Sequence, residues 1–270
     1  MYKYVFIFSL VIAPAYSLAQ ETLQVRFIPP STPGDPAHSY YIKVIDAVLS
    51  ATETTDGPYQ LKANDIYLVQ SRAIAELSKN RKIDVYWTMT SKQRESLLRP
   101  IKIPLLKGYL GYRVFLIRAE DKEKFAKITT IEELSKLVAG RGHDWPDRKI
   151  LEFNGLNVLP VSTYDALFTM LEKKRIDYFP RGINEAWQEL EIHSEKNFVV
   201  DENILFRYPA PVYFFVHPDN ERLAARIQRG LDIIINNGQF DDLLKLYPES
   251  QEVLQKANIE NRRIFELKTP

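Results

Sequence analysis

The sequence predicts a two-lobed α/β protein in which each lobe is a mostly parallel sheet flanked by helices. Strand-like and helix-like segments alternate along nearly the whole chain. One helix-to-strand step occurs twice, centred on Asp84 and Asp177. Hydrophobic residues make up 45% and charged residues 26% of the chain, which are ordinary values for a globular protein. The segments are therefore expected to fold around substantial cores.

Residues 1–19 resemble a secretory signal peptide. Lys3 precedes an apolar run over residues 4–13, Pro14 ends that run, and Ser17 to Ala19 provide the small-x-Ala pattern of a cleavage site. The run is shorter than the ~20 residues needed to cross a membrane. We therefore expect export and cleavage before Gln20; the alternative is a buried N-terminal strand.

Composition narrows the class of protein further. There is no cysteine, so neither a lipoprotein anchored through an N-terminal Cys nor a disulfide is possible, and we expect a soluble periplasmic protein. The 36 basic and 35 acidic residues nearly balance, which argues against a nucleic-acid partner. No later segment is apolar enough for membrane insertion. The four histidines lack metal-ligand spacing and no phosphate loop occurs, so neither a metal nor a cofactor is expected. A monomer is expected.

The first half of the chain begins with a strand that ends at two prolines. This strand covers residues 23–29. A Pro/Gly/Asp loop follows at residues 31–39, and then a helix at 41–49 with apolar residues at helical spacing. An extended segment at 59–69, a helix at 71–77 capped by Ser71 and a strand at 83–87 come next.

The second half continues the alternation. Thr130 and Glu133 form a capping-box pattern, and Ser162 with Asp165 marks another helix start. We expect strands at residues 108–118, 149–153, 176–179 and 212–216. A long amphipathic helix over residues 223–235 ends before Gly238, and two helical segments at 240–246 and 252–264 close the chain.

The repeated step consists of a helix, a basic turn, Ile-Asp and a short aromatic strand, at residues 80–87 and 173–180. Its spacing is too long for a solenoid repeat. It suits one occurrence in each of two similar lobes; coincidence within an α/β chain is the alternative.

Ligands of open parallel sheets bind beyond the carboxyl ends of the strands. This rule selects residues that follow the short strands, on loops that two facing lobes would bring to one cleft. The candidate ligand-binding residues are Asp35, Tyr40, Trp87, Thr88, Thr90, Ser91, Arg94, Asn154, Asn157 and Arg181.

The chemistry of these candidates is coherent. Hydroxyls and exposed amides at a helix start bind anions, an arginine can clamp a carboxylate or phosphate through paired bonds, and Trp87 can form an aromatic wall with nearby tyrosines. Several of these candidates also have a purely structural alternative. Thr90 or Ser91 can be only a helix cap, and Trp87 can belong to the core. Arg94 can pair with Glu95, and Arg181 can pair with Glu185.

Taken in order, these segments resemble the bacterial solute-binding protein family 3, the periplasmic type that binds polar amino acids. Residues 73–77 with 83–85 are similar to the family's helix and strand before the first-lobe binding loop. Residues 90–95 are similar to its Thr-x-x-Arg loop, with Ser91 at the Thr position. Residues 166–177 are similar to the second-lobe counterpart, and residues 227–247 to the closing helices.

The resemblance implies two lobes joined by extended crossovers near residues 112–118 and 206–212. It places residues 20–112 and 209–270 in lobe 1 and residues 113–208 in an inserted lobe 2. It also implies that Arg94 holds a ligand carboxylate and that a second-lobe acid after Asp177 holds an ammonium group. At that point this chain has Arg181-Gly182 instead of an acid, and the loop from Asp84 to Arg94 is short.

These departures favour an anionic or non-standard amino-acid ligand, taken up through an ABC transporter or reported to an envelope sensor. The partner would be an inner-membrane permease or a signalling receptor. Two alternatives stay open at this point: a dehydratase-like enzyme, in which His38 or Glu185 serves as acid or base, and an interaction module that binds no ligand. The loop over residues 140–145, Gly-Arg-Gly-His-Asp-Trp, lacks the context of a dinucleotide fingerprint, and we expect a surface loop there.

Overall fold

The computed structural model describes residues 21–30, 36–247 and 250–270. The expected signal peptide at residues 1–19 and the candidate Asp35 lie outside these residues and stay predictions.

The described residues form twelve strands. In chain order these are β1 Leu23–Phe27, β2 Tyr59–Ala63, β3 Tyr86–Met89, β4 Arg99–Ile101, β5 Tyr112–Arg118, β6 Val138–Gly142, β7 Asn157–Val161, β8 Phe179–Gly182, β9 Phe198–Val200, β10 Ile204–Arg207, β11 Val212–Val216 and β12 Arg263–Glu266.

The same residues form twelve α-helices. These are α1 Pro36–Ser50, α2 Glu53–Asp56, α3 Gln70–Leu77, α4 Lys92–Leu97, α5 Lys122–Ala126, α6 Ile131–Leu134, α7 Asp147–Phe153, α8 Tyr164–Glu172, α9 Ala186–Ile192, α10 Glu221–Asn236, α11 Gln239–Lys245 and α12 Gln251–Ala257.

The first lobe is built on strands β1–β2 and on the sheet β3-β11-β4. Helices α1 and α10 pack against one another beside these strands. Their approach requires Gly230, because a Cβ at that position would lie 2.2 Å from the carbonyl oxygen of Val48. The buried Arg226 holds the same helix pair to the chain after α1, since its guanidinium donates to the Leu49 and Gly57 carbonyls.

The second lobe is built on the five strands β12, β10, β5, β8 and β9 and on the pair β6–β7. Strand β5 is its centre, because β8, β9 and β10 all pair with it. Six of its seven residues are buried. The alternate residues Val114 and Leu116 pack with Phe168 and Phe179 in the core of this lobe.

The chain passes between the lobes beside the start of β5 and the end of β10. There the Tyr208 N–H donates to the Gly111 carbonyl at 3.2 Å. A Cβ on Gly111 would lie 2.1 Å from the Tyr208 carbonyl oxygen, so only glycine permits the two segments to approach so closely. The C-terminal strand β12 pairs with β10, which places residues 263–266 in the sheet of the second lobe. The exact lobe boundaries stay a prediction.

The two-lobed α/β class is confirmed. Pairs β1–β2, β6–β7 and β10–β12 are parallel, whereas the pairs made by β5 with β8, β9 and β10, and by β11 with β3 and β4, are antiparallel. Mostly parallel sheets were expected, and the described strands form more antiparallel than parallel pairs.

Two expected elements differ. The segment predicted as a strand at residues 149–153 is part of helix α7, in which the consecutive residues Ile150 and Leu151 are both buried; a half-buried strand would bury only alternate residues. The expected helix over residues 252–264 ends at Ala257, and Ile264 and Phe265 join β12 instead. Tertiary pairing overrides local propensity there.

The repeated Ile-Asp step is one local structure used twice. In the first lobe the Asp84 carboxylate accepts the Arg26 N–H at 2.8 Å, while the Asp84 N–H donates to the Arg26 carbonyl. In the second lobe the Asp177 carboxylate accepts the Val138 N–H at 2.9 Å, and its own N–H donates to the Val138 carbonyl. Each aspartate thus ties the turn after a helix to a strand of its own lobe.

We expect Asp84→Ala and Asp177→Ala each to lower the free energy of unfolding by about 2 kcal/mol, because each removes hydrogen bonds to a carboxylate that is mostly buried. Urea unfolding followed by circular dichroism measures this change. Asp65→Ala, which removes an exposed carboxylate, should change stability by less than about 0.5 kcal/mol. Equal losses in all three variants would contradict the structural role of the repeated step.

Candidate functional site

A cavity of about 290 Å³ lies between the lobes and is lined by both. The first lobe contributes an aromatic and hydroxyl-bearing wall, and the second contributes charged groups. The lining residues used below are His38, Tyr41, Gln70, Trp87 and Thr88 from the first lobe, and Arg113, Arg141, Asp144, Trp145, Asp147, Tyr164, Arg181, Glu185 and Glu189 from the second.

The first-lobe wall is built around Trp87 on β3. Its ring stacks on Tyr41 with centroids 5.6 Å apart and an interplanar angle of 26°. It also contacts His38 and Phe27, at centroid distances of 5.1 and 6.0 Å. Burial lowers the pKa of His38 to about 4, so its imidazole is neutral at physiological pH.

Arg94 on α4 lies buried behind this wall. Its Nη1 donates to Thr88 Oγ1 and, at 2.9 Å, to the Met89 carbonyl. Its Nη2 donates to Gln70 Oε1 at 2.7 Å and to the Asp144 carbonyl at 3.0 Å. All four acceptors are uncharged, and burial lowers the pKa of this guanidinium. A buried cation held only by neutral acceptors has a strong preference for a nearby anion.

The second-lobe wall contains three arginines and three carboxylates that pair with one another. Asp147, at the start of α7, accepts bonds from Arg141, from Arg113 at 3.0 Å and from the Tyr208 hydroxyl at 3.0 Å. Glu185 accepts from Arg113 and Arg181, each at 3.2 Å. The charges of these six groups are therefore balanced within the lobe, and Asp144 adds one further carboxylate to the wall.

Arg181 on β8 is held most firmly by Glu189. Its Nε lies 2.7 and 2.8 Å from the two carboxylate oxygens of Glu189, and the Tyr164 hydroxyl donates to the same carboxylate at 2.6 Å. The Trp145 ring lies under two guanidinium groups, with the Cζ atoms of Arg141 and Arg181 at 4.8 and 5.2 Å from its centroid. Cation–π contacts of this kind add to the ion pairs.

The three carboxylates in this network differ in the direction in which their pKa is shifted. Burial alone would raise the pKa of Asp147, but the charges of Arg141 and Arg113 outweigh it and hold that pKa well below its usual range. Arg181 and Arg113 likewise overcome burial and lower the pKa of Glu185. For Glu189, burial and the neighbouring Glu185 charge prevail over Arg181, and the pKa is raised.

The sequence-predicted site residues are distributed unevenly. Trp87, Thr88 and Arg181 line the cavity, and Arg94 adjoins it through Thr88 and Gln70. The lining does not include Tyr40, Thr90, Ser91, Asn154 or Asn157.

The residues outside the lining have other contacts. The Tyr40 hydroxyl donates to the Leu105 carbonyl, and Thr90 donates to Glu95. Ser91 caps α4 by accepting the Arg94 N–H. Asn154 at the end of α7 exchanges bonds with the backbone of Lys268. Asn157 is exposed at the start of β7.

The sequence interpretation missed most of the second-lobe wall. The expectation of a surface loop at residues 140–145 was wrong: Arg141 is fully buried, and Asp144 and Trp145 line the cavity. The rule that binding residues follow strand ends would have selected this loop had β6 been recognised at Val138–Gly142. The strand was not predicted because Gly140 and Gly142 are typical of a loop. Each stands where a Cβ would collide, with Ile176 and with the Trp145 ring respectively.

No helix among the described residues has the length and apolar character needed to span a bilayer. Within the same part of the chain, no group of three or more His, Asp or Glu side chains is arranged to hold a metal ion.

The fold is that of the two-lobed periplasmic binding proteins. No protein-family model and no curated protein matches the sequence, but many solved structures match the fold. One is a Salmonella typhimurium periplasmic binding protein with high arginine specificity, with 14% identity, a TM-score of 0.62 and coverage of 84% of this chain and 99% of that chain.

Two further structures show the range of proteins that share this fold. The substrate-binding protein of an amino acid ABC transporter matches with 11% identity, a TM-score of 0.56 and coverage of 77% and 86% of the two chains. The GluR0 ligand-binding core from Nostoc punctiforme, in complex with L-glutamate, matches with 15% identity, a TM-score of 0.56 and coverage of 84% and 98%. The likeness establishes the fold, and it covers almost the whole length of these proteins.

We expect Asp147→Asn to lower the free energy of unfolding at pH 7 by about 3–5 kcal/mol, because it leaves Arg141 buried without its anion and takes one of two carboxylate partners from Arg113. Urea unfolding of this variant against Asp219→Asn, an exposed position, measures the difference. The folded-state pKa of Asp147 is depressed, so its stabilising contribution is present at neutral pH and lost on acidification. The gap between wild type and variant should therefore narrow as pH falls below about 4. A gap that stays constant with pH would contradict the ion-pair role.

Proposed function

We propose that this protein is a periplasmic solute-binding protein that closes its two lobes around a small molecule. The observation that carries the proposal is the cavity that both lobes line, in a chain with the periplasmic-binding-protein fold. A ligand that touches both lobes binds the closed arrangement more tightly than the open one, so it shifts the population toward closure.

We propose an acidic ligand or an amino acid with a modified amino group. Arg94 supports this proposal, because it is a buried cation that bonds only to uncharged acceptors. A free α-ammonium group would need an uncommitted carboxylate. Asp147, Glu185 and Glu189 are each bound to arginine, and Asp144 Oδ2 accepts the Ser71 N–H at 2.7 Å.

Binding without catalysis is the proposal that the solved structures of the same fold support. The proteins that share the fold include a substrate-binding protein and a receptor core. We therefore propose that a permease or an envelope sensor recognises the closed form of this protein.

The proposed ligand class predicts which compounds should raise the melting temperature most. In a thermal-shift screen of the twenty amino acids and of small mono- and dicarboxylates, a carboxylate should raise the melting temperature more than any ordinary amino acid. At a hundredfold excess over Kd, binding stabilises by about 2.7 kcal/mol, which such a screen detects. A shift produced only by ordinary amino acids would refute the ligand class, and no shift with any compound would favour an interaction module.

Arg94 should account for much of the affinity for any carboxylate found in this way. We expect Arg94→Gln to weaken that affinity at least tenfold, because it removes the buried cation opposite the acid. Isothermal titration measures the change. Arg99→Gln, which removes a partly exposed arginine paired with Glu221 on the surface, is the matched control and should leave Kd unchanged. Equal Kd values for Arg94→Gln and wild type would remove Arg94 from the site.

A further inference from the structure

Asp144 joins the two lobes through both its side chain and its backbone. It lies in the loop after β6, in the second lobe. Its Oδ2 accepts the N–H of Ser71 at 2.7 Å, and its carbonyl accepts Arg94 Nη2 at 3.0 Å. Both donors belong to the first lobe, on α3 and α4, so one residue of the second lobe binds two helices of the first.

The position of Asp144 is fixed from within its own lobe. Arg141, three residues earlier, donates to the Pro180 carbonyl and to Asp147. Trp145, the next residue, lies over Gly142, where a Cβ would stand 2.5 Å from the indole ring. Contacts within the second lobe therefore hold the loop on both sides of Asp144.

The first-lobe partner of the side chain is well suited to a carboxylate. Ser71 is the second residue of α3, whose helix starts at Gln70; its backbone N–H is one of the donors that a helix leaves unpaired in its first turn. Negative charge is favoured at that end of a helix. Ser71 was expected to be the cap of this helix, but Val69 stands at the cap position and makes no side-chain cap bond. The Asp144 carboxylate supplies that acceptor from the other lobe.

We propose that Asp144 is the latch of the cleft: its carboxylate holds the second lobe to α3 of the first and sets how often the lobes open. The latch rests on the proposed function, because opening and closing matter only if a ligand enters between the lobes. It extends that function by assigning control of closure to one second-lobe side chain that no ligand needs to touch.

The test measures the distance between lobes in the purified protein without added ligand. The chain has no cysteine, so nitroxide labels can be placed cleanly at Lys92→Cys on α4 and Lys149→Cys on α7, both exposed positions. Double electron–electron resonance then gives the distribution of interlobe distances. In this background the variants are Asp144→Ala, Asp144→Asn and, as the matched control, Asp165→Ala, which removes an exposed second-lobe carboxylate.

Asp144→Ala should raise the ratio of long to short distances about tenfold or more, because it removes a charge-assisted bond between the lobes. Asp144→Asn should restore part of the short-distance population, since its amide oxygen still accepts the Ser71 N–H but lacks the charge. Asp165→Ala should match the background protein. Circular dichroism confirms that each variant is folded.

The latch is overturned if Asp144→Ala and the control give the same distribution, or if Asp144→Asn opens the lobes as much as Asp144→Ala. These measurements use no ligand. An absence of binding in the metabolite screen would therefore contradict the proposed function but not the latch. An unchanged distance distribution in Asp144→Ala would contradict the latch but not the proposed function.

Discussion

The buried pairing of Asp147 with Arg141 and Arg113 is the interaction on which the rest of the site depends. Asp147 starts α7, Arg141 lies on β6 and Arg113 on β5, and Tyr208 at the interlobe crossover bonds to the same carboxylate. One side chain therefore joins the centre of the second lobe, the loop that enters the cleft and the hinge. Desolvation of these charges is costly, and it is offset only while all partners are present.

That network fixes what the second lobe presents to the cleft. Because Glu185 and Glu189 neutralise Arg113 and Arg181 within the lobe, the wall is polar but has little net charge to offer a ligand. The first lobe differs, since Arg94 is surrounded by uncharged oxygen acceptors. The two walls thus differ in charge, and the proposal of an acidic ligand rests on the first lobe.

Hydrogen bonds to Asp144 link the two lobes across the gap. Asp144 reaches α3 and Arg94 from the loop whose direction Arg141 and Gly142 determine. Arg94 adjoins the cavity through Thr88 and Gln70, and it also donates across the gap to the Asp144 carbonyl.

The sequence by itself determined the architecture: the Ile-Asp repeat, the strand at Val212–Val216 and the long helix α10 depend on local pattern, and local pattern is visible in a sequence. It also identified Trp87, Thr88 and Arg181 as cavity residues, because the ends of strands converge in this class of fold. Tertiary structure alone decided the rest. Whether an arginine is free or already paired depends on neighbours distant in the chain, such as Arg113 and Glu185, 72 residues apart. Strand β6, before Asp144, was not predicted because its glycines are required by side chains that pack on them from distant parts of the fold. The end of the chain was expected to be helical, but it forms a strand because it pairs with β10.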